Sequence, residues 1–171
     1  MKTKNNYLLH FVILFIVFFF QSSPIIERFK VGGVTPNILF VMLFVYALFF
    51  KDKEVVLYTV IFGSLADLLF GKIYGIQTLL MLLFVCIYIL LNKYIYTESR
   101  LVVFFYCLLA TALYESIFLF INTAIWKEAV ISAYVAKLIL IKCVYNGIVC
   151  LPVFYITRKS ERLKQEVRID G

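Results

Sequence analysis

Residues 63–75 read GSLADLLFGKIYG, an apolar stretch in which Gly63, Asp67, Gly71 and Gly75 recur at intervals of four. Residues four apart share one face of a helix. The pattern therefore gives a small, smooth stripe that another helix can approach closely, with one charge set into it. A carboxylate in a hydrocarbon-spanning segment costs roughly 2.5–3.5 kcal/mol on insertion scales, so Asp67 must face protein, water or a partner. Two occupants of the stripe are open: the transmembrane helix of another protein, or a second helix of the same bundle.

The rest of the chain has the composition that this reading requires. Of its 171 residues, 64% are hydrophobic, whereas soluble domains are typically about 45–50% apolar. The chain is read as an integral membrane protein, too short for a soluble domain beside several spans. Its net charge of +7 comes from basic residues dispersed between apolar segments. No basic, aromatic-interleaved patch could grip a duplex, so nucleic acid is not an expected partner. Cys86, Cys107, Cys143 and Cys150 all fall in apolar stretches without a CxxC pair and are read as small buried hydrophobes. Lys2, Lys4 and the apolar run Tyr7–Phe20 imitate a secretory signal, but Phe20-Gln21-Ser22-Ser23-Pro24 is a poor cleavage site. An uncleaved first span is expected.

A span needs about 20 mostly apolar residues. Six candidates emerge: 7–26, 36–50, 55–70, 74–91, 101–126 and 134–156. The second is short and must borrow from Val31–Thr35 or thin the bilayer. Pro36 is expected in its first turn, where a missing N–H breaks no bond. Pro152 is expected to kink the sixth. The third and fourth, joined only by residues 71–74, should form an antiparallel hairpin. Tyr7, Tyr74, Tyr94, Trp126, Tyr134 and Tyr155 fall near span ends, as an interfacial belt requires. The fold class is thus all-α, one six-helix polytopic bundle, with residues 1–157 as the transmembrane domain and 158–171 as a short basic cytoplasmic tail that extends the last helix.

Lysine and arginine counts orient the bundle. With the N-terminus inside, the inner set is Lys2, Lys4, Lys51, Lys53, Lys93, Arg100, Arg158, Lys159, Arg162, Lys164 and Arg168, and the outer set only Arg28, Lys30, Lys72 and Lys127. The positive-inside rule then puts both termini in the cytoplasm. The tail can touch anionic lipid or a cytoplasmic partner, or be a solvated helix end diluted by three acids.

Asp67, Glu115, Lys137 and Lys142 lie within spans and sum to zero charge. In this topology Glu115 and Lys142 differ in depth by roughly 4–5 Å on adjacent antiparallel helices, which suits an intramembrane ion pair. It either fixes packing or belongs to an ion pathway. Asp67 and Lys137 both sit about a turn from the outer surface; they pair if the third and sixth helices touch, or Lys137 snorkels and Asp67 reaches water. Asn146, beside Gly147, is read as polar packing, a bond across helices worth about 0.6 kcal/mol on average.

Residues for chemistry are scarce. His10 is the only histidine, with no acid nearby in sequence, so no metal-ligand set forms. No serine–histidine motif, closely spaced aspartate pair, P-loop or dinucleotide fingerprint is present. Neither catalytic residues nor a cofactor are expected.

Pro36-Asn37-Ile38-Leu39, the Gly63, Asp67, Gly71, Gly75 block, and Asn146 followed by a basic tail together resemble the bacterial rod shape-determining protein family MreD. Related members often carry Asp where this chain has Asn37, and Gly where it has Thr59. The resemblance implies a non-enzymatic scaffold of the bacterial cytoplasmic (inner) membrane. It implies binding of the single-span protein MreC, and coupling of MreB filaments to the wall synthesis of RodA and a class B penicillin-binding protein. A rival of another class is the substrate-binding subunit of an energy-coupling vitamin transporter. That subunit has small residues spaced by four on its first helix; here the helix reads FVILFIVFFF. A small channel would need an aligned polar lining.

Overall fold

The structure is a computed structural model. Its described backbone comprises residues 4–50, 52–71, 73–92, 99–126 and 133–169, and its described side chains 8–50, 53–71, 73–91, 99–125 and 134–160. Lys2, Lys51, Lys72, Lys93, Lys127 and Tyr94 fall outside the described residues. So do the side chains of Lys4, Tyr7, Trp126, Arg162, Lys164 and Arg168.

The described residues are all-α. Six α-helices follow in order: α1 (Lys4–Ser22), α2 (Ile38–Phe49), α3 (Asp52–Phe70), α4 (Ile76–Asn92), α5 (Arg100–Trp126) and α6 (Ala133–Ile169). A 3₁₀ helix at Pro24–Phe29 lies between α1 and α2. Two stretches, Arg100–Ile125 and Tyr134–Ser160, are long and apolar enough to cross a membrane.

The architecture follows from α2. All nine residues from Leu39 to Ala47 are buried, and a helix apolar on every side belongs in a core. The other helices wrap it: α2 packs on α1, α3, α4 and α6, while α3–α4, α4–α5 and α5–α6 pack as chain neighbours. Ring contacts fix directions. Phe40 meets Phe84 and Phe44 meets Tyr88, so α2 and α4 run the same way. Asn37 meets Asn146 and Phe49 meets Phe154, which aligns α6 with them. Phe11 meets Tyr58 and Phe18 meets Phe62, so α1 and α3 are parallel to each other. Large apolar side chains exposed on the wrapping helices include Phe15, Leu57, Leu79, Phe105 and Ile148. So much exposed apolar surface suits lipid rather than water.

Several boundaries differ from expectation. The first helix stops at Ser22, because Pro24 cannot donate and opens the 3₁₀ helix instead. Val31–Thr35 lends no turns to α2: Val31 and Val34 exchange backbone bonds of 3.0 and 3.2 Å across Gly32-Gly33. Those glycines have φ of 60° and 90°, the left-handed pair that a two-residue turn demands. Pro36 lies outside α2, whose N-cap is Asn37. The α3 helix starts earlier, at Asp52, and α4 later, at Ile76. The α6 helix runs through Pro152 and on to Ile169. Tyr74, Tyr134 and Tyr155 are exposed. Cys107, Cys143 and Cys150 are buried, Cys86 is half-buried, and all four are free thiols.

Candidate functional site

The α3–α4 hairpin contains the first polar centre. Helix α4 begins Gly75-Ile76-Gln77-Thr78, without the Ser, Thr, Asp or Asn that usually accepts from the first orphan N–H groups. Gly75 supplies the turn, at φ 98°, and its carbonyl accepts from the Leu79 N–H at 2.9 Å. The missing cap arrives from the preceding helix. One carboxylate oxygen of Asp67 accepts from the Gln77 N–H at 2.9 Å. The other accepts from the Thr78 N–H at 2.9 Å and the Thr78 hydroxyl at 2.5 Å. Asp67 is 2% exposed. A negative group at a helix N-terminus also meets the positive end of the macrodipole.

The glycines serve the same hairpin. A Cβ on Gly63 would lie 3.0 Å from the Thr78 Cα, so a bare backbone is what allows α3 to approach α4. Gly71 ends α3, its N–H bonded to the Asp67 carbonyl at 2.9 Å; a Cβ there would lie 2.5 Å from that oxygen. Gly75 makes the turn with open space around it. The side of α3 that carries Gly63 and Asp67 is therefore occupied by α4 of the same chain. The alternative of Asp67 reaching water, or pairing with Lys137, does not hold. Its oxygens are turned to α4, α3 and α6 are not packing neighbours, and Lys137 is exposed.

A second centre joins α1, α2, α5 and α6. The Asn37 side chain caps its own helix by accepting from the Phe40 N–H at 3.1 Å. Gln21, near the end of α1, donates to that same Asn37 oxygen at 3.1 Å and accepts from the Leu39 N–H at 2.8 Å. Asn146 of α6, fully buried, accepts from the Asn37 backbone N–H at 2.8 Å. Its amide donates to the Thr111 hydroxyl of α5 at 3.4 Å. At the start of α2 the Asn37 and Leu39 N–H groups are thus satisfied by two neighbouring helices and the Phe40 N–H by Asn37 itself, as an apolar surrounding demands. These N–H groups at a discontinuous helix start, of the kind transporters offer to anionic substrates, are already bonded within the chain.

One turn from Asn146, Lys142 Nζ lies 2.6 Å from Glu115 Oε1, with that oxygen off the hydrogen-bonding direction. The side chains are 26% and 13% exposed. Neutralising Glu115 and Lys142 singly and together should give a coupling of about 0.5–3 kcal/mol in thermal unfolding. Additive losses would mean that the two charges do not stabilise each other. His10 sits between the rings of Tyr46 and Phe50, at 5.4 and 4.2 Å, away from both centres.

Among the described residues no three His, Cys, Asp or Glu side chains gather as metal ligands. Gln21, Asn37 and Thr111 escape a reading of spans. The one cue was Asn37 directly before an apolar run, an N-cap signal. Gln77 and Thr78 were signalled only by the absence of a capping residue at the start of α4.

The family model for rod shape-determining protein MreD matches residues 2–160. The chain belongs to the MreD family. Both polar centres lie within the matched region. Membership gives the chain a role in rod-shape determination, as a membrane component of the cell-shape machinery. No curated protein and no solved structure matches the chain.

Proposed function

We propose that this chain is a non-enzymatic scaffold of the elongation machinery in the bacterial cytoplasmic membrane. It crosses the bilayer six times with both termini inside, binds an MreC-like single-span protein, and helps couple MreB filaments to peptidoglycan synthesis by RodA and a penicillin-binding protein. The observation that carries this reading is the family match over residues 2–160. The geometry agrees with it. The alternation of helix directions suits six crossings, and the lysine and arginine bias suits cytoplasmic termini. Buried polar side chains at both centres bond to other helices of the chain, which builds a rigid platform. In such a platform the partner's helix docks on the outward, lipid-facing side of the bundle, since α4 covers the Gly63–Asp67 side of α3.

Purification of the full chain in mild detergent with a tagged MreC-like partner tests the function. Co-purification is expected to persist when Gly75, which faces open space, is replaced by Asn, a residue that tolerates left-handed backbone. Failure of the unmodified chain to co-purify or to cross-link in membranes would reject the scaffold reading. Topology is tested separately, with single cysteines at Lys4 and Arg168 and a membrane-impermeant maleimide. Both should label only from the cytoplasmic side, and labelling from opposite sides would reject the six-crossing arrangement.

A further inference from the structure

Asn146, which holds the Asn37 N–H, lies near the middle of the 27-residue apolar stretch Tyr134–Ser160, and Thr111 near the middle of the 26-residue stretch Arg100–Ile125. The first turn of α2 is tied to both midpoints. From there its twelve residues rise about 18 Å, enough to cover one half of a hydrocarbon core about 30 Å thick. Helix α2 therefore occupies a single leaflet's depth.

The other half of that crossing is made by non-α backbone. Residues 24–37 run beside the first half of α6: the Tyr145 hydroxyl donates to the Phe29 carbonyl at 2.8 Å. A Cβ on Gly32 would sit 2.7 Å from Ile141 Cδ1, and one on Gly33 3.9 Å from Leu138 Cδ2. Irregular backbone at membrane depth persists only where protein or water satisfies it. Within the segment the 3₁₀ turns, the Glu27–Lys30 pair and the Val31–Val34 exchange do so; its hydrogen bonds to the helices are few, to Gln21 at one edge and to Asn146 and Tyr145 on α6.

We propose that residues 24–37 form a re-entrant strap, latched to α6 by Asn146, whose release exposes the start of α2 to water. The strap is a two-state element. Closed, it covers the polar start of α2 at mid-depth; open, it leaves those N–H groups to solvent. Because α6 continues to Ile169, the latch joins the strap mechanically to the helix that runs past the apolar stretch. That the strap occupies the outer leaflet rests on the orientation proposed above.

The test uses the full chain in membranes with Ile38→Cys and a membrane-impermeant maleimide, with labelling of the four native cysteines subtracted as background. The parent should label slowly. Asn146→Leu removes the acceptor and should raise the rate about tenfold, from the outer side. Asn146→Asp keeps an oxygen at that position and should label as slowly as the parent. If Asn146→Leu does not fold, Tyr145→Phe, which removes the bond to Phe29, should give a smaller rise. Fast labelling of the parent, or no rise in the folded variants, would overturn the strap. Equal rates for Asn146→Asp and Asn146→Leu would overturn Asn146 as its latch. A rise seen only from the cytoplasmic side would leave the strap in place and overturn the orientation.

Discussion

Replacing Asp67 with leucine is expected to be among the most damaging single changes in this chain, at about 3–5 kcal/mol of stability. The carboxylate serves three donors at once, the N–H groups of Gln77 and Thr78 and the Thr78 hydroxyl. Each buried donor left unpaired costs about 1–3 kcal/mol, and the apolar surroundings offer no water in exchange. Relaxation of the α4 terminus keeps the total below the simple sum. Asparagine should fall between: its single carbonyl oxygen can serve one N–H group, while its amide points donors at donors. Thermal unfolding of the purified protein in detergent gives the order Asp, Asn, Leu. Equal midpoints for Asp67 and Asp67→Leu would show that the cap contributes nothing.

This centre also shows how much a linear reading recovers. Both ends of α5 and the start of α6 were legible to within a residue, because twenty or more apolar residues between charged stretches leave few other structures. The helical spacing of Gly63, Asp67 and Gly71 was legible too. What the spacing does not carry is the identity of the neighbour. A small stripe looks the same whether another protein or the chain's own α4 lies against it, and here Thr78 sets the answer. The α1–α2 connection was misplaced for a related reason. Hydropathy ran through Ile25 and Ile26, but Pro24 broke the helix. The start of α2 then depended on Gln21 and Asn146, polar residues 16 and 109 positions from Asn37. No window along the chain contains all three.

Gly63→Leu should have a comparable effect, and its interaction with Asp67 is the sharper result. Even a methyl group at Gly63 would stand 3.0 Å from the Thr78 Cα, and backbone cannot step aside as a flexible side chain can. Leucine adds three further carbons on the same side, so α3 and α4 must separate; overpacking of this kind typically costs about 1–3 kcal/mol, occasionally more. The separation acts on Asp67 directly, since Gly63 lies one turn before it and the residue struck, Thr78, supplies two of its three hydrogen bonds. Once Gly63→Leu has moved α4 away, removing the carboxylate has little left to break. The double variant Gly63→Leu with Asp67→Leu is therefore expected to be less destabilised than the sum of the singles, by about 1–3 kcal/mol. Strictly additive losses would mean that the close approach at Gly63 and the cap at Asp67 stabilise α4 independently, and the hairpin would then be two separate contacts instead of one unit.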